Sequence, residues 1–133
     1  MTRALSIVLK STWLHVAFAF IAMGGWAIFA NADHDMPKPL VAGLVQGSIS
    51  AGLTLFLKRT VDWMRPKFPY VVGHAAPALI ASLASATLLV VAHRLAGTPE
   101  IIRTIAVPLL VSASYIFTYN FLTQRKARNE PYE

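Results

Sequence analysis

Residues 39–59 read PLVAGLVQGSISAGLTLFLKR, an uncharged run that stops at a lysine-arginine pair. The hydrocarbon core of a bilayer is about 30 Å thick, so a helix of roughly 20 mainly apolar residues can cross it. The run from Pro39 to Leu57 has this length, and its first charge comes at Lys58. It therefore predicts a membrane-spanning helix that ends at a basic border.

Three further apolar runs of similar length fill most of the remaining chain. Of the 133 residues, 56% are apolar and 14% charged, and the mean hydropathy is +0.54. This composition is typical of integral membrane proteins. We predict an all-α, polytopic membrane protein with a single four-helix transmembrane domain over residues 1–133, arranged as two hairpins. The predicted spans are 12–31, 39–57, 73–93 and 99–122.

The basic residues predict the orientation of these spans. Short loops rich in Lys and Arg remain cytoplasmic, so both termini and the central loop, residues 58–72, are expected inside. There they would contact anionic lipid headgroups, at about 1 kcal/mol per exposed charge. We therefore attribute the net charge of +6 to contacts with the bilayer, and we expect no nucleic-acid partner. The inner set is Arg3, Lys10, Lys58, Arg59, Arg65, Lys67, Arg125, Lys126 and Arg128, and the outer set is Lys38, Arg94 and Arg103.

The first span also has features of a cleavable signal peptide. Basic residues precede its apolar run, and Ala30-Asn31-Ala32 before Asp33 imitates a small-x-small cleavage site. The apolar run is longer than the roughly 7 to 15 residues of such signals. We therefore expect the first helix to be retained.

Residues that could support catalysis are sparse. The chain has no cysteine, which excludes disulfides and thiolate chemistry. All acids fall in predicted loops, tails or span ends, which leaves no mid-membrane carboxylate for proton coupling. No nucleophile elbow, phosphate-binding glycine loop or HExxH motif occurs. We predict neither enzymatic activity nor a cofactor.

Titratable residues are predicted to gather at the outer ends of the helices. A structural salt-bridge cluster is the preferred interpretation of the residues that fall at one level there, which are His34, His93, Arg94, Asp33, Asp35 and Glu100. Two histidines and two aspartates could also ligate zinc. No paired-ligand spacing enforces that geometry, so no metal site is predicted.

Small residues recur every four positions in the second and third spans. Such spacing lets helix backbones approach closely. It predicts a seam between these two helices or between two subunits, and hence a homodimer or a membrane-protein partner. The packing residues are Gly43, Gly47 and Ala51 on the second span and Ala78, Ser82 and Ala86 on the third.

A polar stripe on the second span is the candidate for substrate binding. Gln46 has too many donors and acceptors to face lipid, so it should point into a bundle or a dimer contact. Ser50 and Thr54 continue its face towards the basic border. If this stripe faces the polar residues of the fourth span, the two would line a pocket open to the cytoplasm. The candidate substrate-binding residues are Gln46, Ser50, Thr54, Lys58, Arg59, Tyr119 and Asn120.

The endings of the second and fourth spans resemble those of the GtrA-like family of small four-helix membrane proteins. They read Phe56-Leu57-Lys58-Arg59, with Trp63 following, and Phe121-Leu122-Thr123-Gln124-Arg125. Both lack the family's asparagine before arginine, and no aromatic residue follows Arg125. The resemblance implies help in moving a polyprenyl-linked sugar across the membrane, with Arg59 and Arg125 as contacts for the lipid phosphate.

These features predict a multi-pass protein of the cell (inner) membrane that translocates, or helps to translocate, an amphiphilic or lipid-linked anionic substrate. One four-helix bundle has little room for an aqueous pore, whereas a lipid needs only a groove with basic residues at its mouth. The alternative is a non-catalytic structural or assembly subunit of a larger membrane complex. A passive channel between subunits would need backbone carbonyls or hydroxyls to line it.

Overall fold

The computed structural model describes residues 12–73 and 75–129, without the side chains of residues 70, 71 and 126–129. Within this part of the chain, four helices are long and apolar enough to cross a membrane, which confirms the predicted all-α class. Two residues of the inner basic set, Arg3 and Lys10, lie outside the described residues, as do the side chains of Lys126 and Arg128.

The long helices are joined by short connections. A 3-10 turn and one four-residue helix connect the two halves of the chain. In chain order the helices are α1 (Thr12–Ala30), α2 (Lys38–Met64), α3 (Tyr70–Gly73), α4 (Ala76–Leu95) and α5 (Ile101–Asn129), and the 3-10 turn spans Arg65–Lys67.

Helices α2 and α5 continue past their predicted ends at residues 57 and 122. The prediction of a central loop from residue 58 is therefore wrong in its first part, since α2 ends only at Met64. Charged side chains leave the backbone hydrogen bonds of a helix intact, whereas Pro66 and Pro69 remove N–H donors and disfavour helix before them. At 1.5 Å per residue, the 27 residues of α2 measure about 40 Å, about 10 Å more than a hydrocarbon core.

The two ends of the bundle differ in their loops and charges. Residues 31–37 connect α1 to α2, and residues 96–100 connect α4 to α5; we call this side the hairpin end. The opposite side carries the last turns of α2 and α5 with residues 65–73 and 75. We call it the basic end, because Lys58, Arg59, Arg65, Lys67 and Arg125 lie there.

Helices α1 and α2 approach each other through glycines. A Cβ on Gly24 would lie 2.8 Å from the carbonyl oxygen of Gly43, and one on Gly47 would lie 2.8 Å from that of Phe20. The predicted seam at Gly43 and Gly47 therefore packs on α1, and the expectation that the third span is their partner is wrong. The reason is Gly24, which supplies the matching gap on α1. Ala51 continues the same face and lines an open apolar groove beside Phe20 of α1.

Helix α4 packs on α2 through a small apolar core. Ala78 is fully buried there, while Ser82 and Ala86, which share its predicted row, are half-buried. The row that lines the α2 side is Ala81 and Ser85. This core joins α2, α4 and α5 and consists of Leu57, Val61, Met64, Ala78, Ala81 and Ile116.

Candidate functional site

Gln46 and His93 form a buried hydrogen-bonded pair between α2 and α4. Both residues are 0% exposed. His93 Nε2 lies 2.9 Å from Gln46 Oε1, and His93 Nδ1 lies 2.8 Å from Thr98 Oγ1. Because an amide oxygen only accepts, Nε2–H donates to Gln46, and Nδ1 of the neutral ring accepts from the Thr98 hydroxyl. Both ring nitrogens are thus engaged within the protein.

The turn that ends α4 holds Thr98 against the histidine ring. Gly97 has φ +67°, a left-handed conformation that glycine adopts without strain. The Thr98 N–H donates to the His93 carbonyl at 3.0 Å, and the Gly97 N–H donates to the Arg94 carbonyl at 3.2 Å. These are the paired bonds of a Schellman motif. The cap therefore positions the hydroxyl that satisfies Nδ1.

The predicted polar stripe on α2 divides into an internal part and an exposed part. Gln46 Nε2 donates to Ser50 Oγ at 3.0 Å, and both side chains are buried. Thr54, Lys58 and Arg59 are exposed. The pocket expected along the whole stripe does not match this placement, because the amide of Gln46 is directed to α4 and to its own helix.

A second buried network joins the two hairpins through Asn31. Its Nδ2 donates to the Ala27 carbonyl and to Thr104 Oγ1, each at 2.8 Å, and its Oδ1 accepts the Glu100 N–H at 3.0 Å. Asn31 and Thr104 are both 0% exposed. Asn31 thus supplies a hydrogen-bond acceptor at the start of α5 and fixes α1 against that helix.

The predicted outer cluster forms in part. His34 Nε2 lies 3.2 Å from Glu100 Oε1, and Arg103 Nη1 lies 4.0 Å from Asp33 Oδ2. These pairs are solvent-exposed and contribute little to stability. His93 does not join them, because its ring is enclosed with Gln46. Across residues 12–73 and 75–129, no three His, Asp or Glu side chains converge as metal ligands would.

At the basic end, four polar side chains from α2, the 3-10 turn after it and α5 meet; we call them the α2–α5 charge cluster. Tyr119 Oη donates to Asp62, with both carboxylate oxygens in reach at 2.8 and 2.9 Å. Arg65 Nη1 lies 3.8 Å from Asp62 Oδ1, and Lys58 Nζ lies 5.6 Å from the centre of the Tyr119 ring. Two predicted site residues, Lys58 and Tyr119, are therefore brought together.

Other predicted site residues are placed differently. Asn120 is buried, and its Nδ2 donates to the Gly73 carbonyl at 3.1 Å, as does Gln124 Nε2 at the same distance. These bonds dock the end of α3 onto α5, which is an architectural role. Arg59 and Arg125 are exposed at the basic end.

An open apolar groove lies between α2 and α4. Small residues of α4 face larger residues of α2, which leaves space between the helices. On α2 the groove extends to Thr60, the residue after Arg59. Its lining residues are Leu53, Phe56, Leu57 and Thr60 of α2 and Ala81, Ala84, Ser85 and Leu88 of α4.

Asp62 and Arg65 are absent from the predicted site because the prediction ends the helix before Lys58, so no helical face connects them to that residue. Their spacing from Lys58 carries a usable signal, since residues at i, i+4 and i+7 share one face of a helix. Asn31 lies at a predicted span boundary, and no local pattern indicates its partner Thr104, which is 73 positions away.

Comparisons with known protein families, with characterised proteins and with solved structures found no match. The resemblance to the GtrA-like family therefore stays a prediction.

The buried pair of Gln46 and His93 can be tested for coupling. Gln46→Leu should lower the free energy of unfolding by about 1 to 3 kcal/mol, because the Nε2–H of His93 is left buried without that acceptor. His93→Leu should also lower the free energy of unfolding, because the Oε1 acceptor of Gln46 is then left buried without that donor. The double variant should lose less than the sum, since both polar partners are removed together. Unfolding by SDS in mixed micelles, followed by far-UV circular dichroism, measures all four free energies.

Thr87→Val is the control for this cycle. Thr87 is exposed, and its hydroxyl donates to the Leu83 carbonyl of its own helix. The change should stay within about 0.5 kcal/mol of the parent. Strictly additive losses in the Gln46 and His93 variants would show that the pair is not coupled.

Proposed function

We propose that this chain is a multi-pass membrane protein that binds an anionic, amphiphilic lipid and helps to move it across the bilayer. The observation that carries the proposal is the apolar groove between α2 and α4, which reaches Thr60, in the same turn of α2 as the exposed cations Lys58 and Arg59. The groove offers a path for an acyl or prenyl chain. The cations of that turn offer countercharges for an anionic headgroup at the same level of the bundle.

Helix lengths and surfaces support insertion in a bilayer. The 19 residues of α1 and 20 residues of α4 correspond to about 28 and 30 Å, close to the thickness of a hydrocarbon core. Large apolar side chains are exposed along the bundle, including Phe18 at 70%, Leu83 at 64% and Leu110 at 69%. Soluble monomers rarely expose such extensive apolar surface.

The charge distribution supports an orientation with the basic end in the cytoplasm. Lys and Arg are concentrated there, as the positive-inside rule requires. The acids Asp33, Asp35 and Glu100 lie at the hairpin end. We assign the protein to the cell's inner membrane with both termini inside. The last turns of α2 and α5 then extend to the level of the cytoplasmic headgroups.

Translocation can be tested with fluorescent phosphatidic acid in proteoliposomes. The variant Lys58→Gln/Arg59→Gln should reduce the rate at which this lipid reaches the outer leaflet by about tenfold, because it removes the countercharges in the turn of α2 where the groove ends. Ala84→Trp should reduce the rate similarly, because the indole fills the groove. Dithionite quenching of the labelled lipid measures the rate.

Arg103→Gln is the matched control, since it removes an exposed cation at the hairpin end. Its rate should equal that of the parent protein. The proposal fails if the parent protein moves the lipid no faster than protein-free vesicles do, or if the Lys58 and Arg59 variant is unimpaired.

A structural or assembly subunit is the second candidate. It is favoured by the buried polar groups, which bond inside the bundle instead of lining a polar path: Gln46 bonds to His93, and Asn31 bonds to Thr104 of α5. Gly47 packs on α1, so its substitution would damage the chain itself. Gly52 is the better probe of outward docking, because a Cβ there meets no atom within 4 Å. A docking subunit should leave its native complex when Gly52 becomes leucine.

A further inference from the structure

Arg65 presents donors that its neighbours do not satisfy. Its Nη1 is buried and has no hydrogen-bond partner among the described residues. The nearest carboxylate oxygen, Asp62 Oδ1, lies 3.8 Å away, whereas charge-assisted N–H···O bonds measure about 2.7 to 2.9 Å. A buried guanidinium N–H without an acceptor is costly. The position therefore favours an additional oxygen ligand.

Asp62 is directed to a different partner. Both of its oxygens lie within 2.9 Å of the Tyr119 hydroxyl. The α2–α5 charge cluster thus has two cations, Lys58 and Arg65, and one carboxylate. It carries an excess positive charge that a further anion would neutralise.

We infer that Lys58, Arg65 and Tyr119 form a binding site for a phosphate-type headgroup, and that Asp62 occupies the centre of this site when it is empty. The inference rests on the proposed function, since it names the site that recognises the headgroup of the same lipid. A guanidinium fork binds two phosphate oxygens at once, an ammonium adds a point charge, and the phenol adds a third donor.

The position of the cluster suits a lipid headgroup. Asp62 and Arg65 lie in the last turn of α2 and just beyond it, in the part of that helix that exceeds a hydrocarbon core in length. Their side chains are 38% and 26% exposed, so a headgroup can approach them, and it reaches the buried Nη1 of Arg65 when Asp62 moves aside. The phosphate displaces Asp62 from Tyr119, and the carboxylate thereby selects against weakly charged headgroups.

Asp62→Asn is the decisive variant, because the amide oxygen still accepts from Tyr119 while the competing negative charge is removed. Native mass spectrometry of the detergent-solubilised protein, titrated with phosphatidic acid or phosphatidylcholine, measures occupancy. Asp62→Asn should bind phosphatidic acid about tenfold more tightly than the parent, and Arg65→Gln about tenfold more weakly. Phosphatidylcholine binding should be unchanged in both. A merely structural carboxylate would not produce tighter binding.

Asp33→Asn is the matched control, since it changes the net charge equally but at the hairpin end, beside Arg103. It should leave the affinity for phosphatidic acid unchanged. Equal tightening by Asp33→Asn and Asp62→Asn, or none by Asp62→Asn, would overturn the site. If Arg65→Gln fails to fold, the gain in affinity for phosphatidic acid expected from Asp62→Asn still tests the site.

Two further experiments distinguish a lipid headgroup from a free phosphate as the ligand, and this site from the proposed function. Titration with inorganic phosphate asks whether a free anion suffices; tight binding of phosphate with none of phosphatidic acid would overturn the lipid assignment. One combination of results would refute this site and leave the proposed function standing. In that case Asp62→Asn gains no affinity for phosphatidic acid, and Arg65→Gln translocates the lipid at the normal rate. Binding with the expected signs but no translocation would refute the proposed function alone.

Discussion

Replacing Gly24 with alanine is expected to lower the free energy of unfolding by about 1 to 3 kcal/mol. The added Cβ would lie 2.8 Å from the Gly43 carbonyl oxygen and 3.5 Å from the Cα of Gly47. Both are backbone atoms, so the clash is relieved only when α1 and α2 move apart. Gly24→Leu should have a larger effect. SDS titration in mixed micelles, followed by far-UV circular dichroism, measures the loss.

The neighbouring Gly25 provides the control. It is exposed, and a Cβ placed on it meets no atom within 4 Å. Gly25→Ala should be neutral or slightly stabilising, because alanine loses less backbone entropy in a helix than glycine does. Equal losses for Gly24→Ala and Gly25→Ala would contradict a glycine seam between α1 and α2.

Replacing Asn31 with leucine is expected to cost about 2 to 3 kcal/mol of unfolding free energy. The side chains are similar in size, but leucine leaves the Glu100 N–H without its acceptor, at about 1 to 3 kcal/mol. It also removes the interhelical bond to Thr104, for which about 0.6 kcal/mol is usual between membrane helices. The same SDS titration measures the change.

Thr104→Val removes one partner of Asn31 and keeps the volume of the side chain. Since the Asn31 amide retains its bond to the Ala27 carbonyl and its acceptor role towards Glu100, the loss should be smaller, about 1 kcal/mol. An Asn31→Leu protein as stable as the parent would show that α1 and α5 do not depend on this network.

The four long helices could be predicted because each needs only an apolar run of sufficient length. Their ends could not be predicted from charge, since charged side chains continue a helix until a proline removes a backbone donor. This is why α2 includes Lys58 and Asp62, and why the cluster with Tyr119 depends on a helix that the sequence pattern assigns to a loop.

Helix partners are a different problem from helix positions. The spacing of Gly43 and Gly47 indicates a helix that tolerates the close approach of another helix, but it does not indicate which helix packs there. Gln46 is buried, as its amide requires, yet its partner His93 lies 47 positions away, and no local pattern connects them. Long-range pairing is set by the packing of the whole bundle, which a single sequence does not display.

The polar contacts at the hairpin end and at the basic end differ in burial, and this sets which of them separate most easily. At the hairpin end, Asn31 and Gln46 bond inside the protein, where no solvent replaces a broken bond. At the basic end, Asp62 and Arg65 are partly exposed, and water or headgroups compensate when they separate. The Asp62 and Arg65 pair therefore separates at less cost than the buried bonds of the hairpin end. If the chain moves a lipid as proposed, we therefore expect that lipid to approach from the side at the basic end.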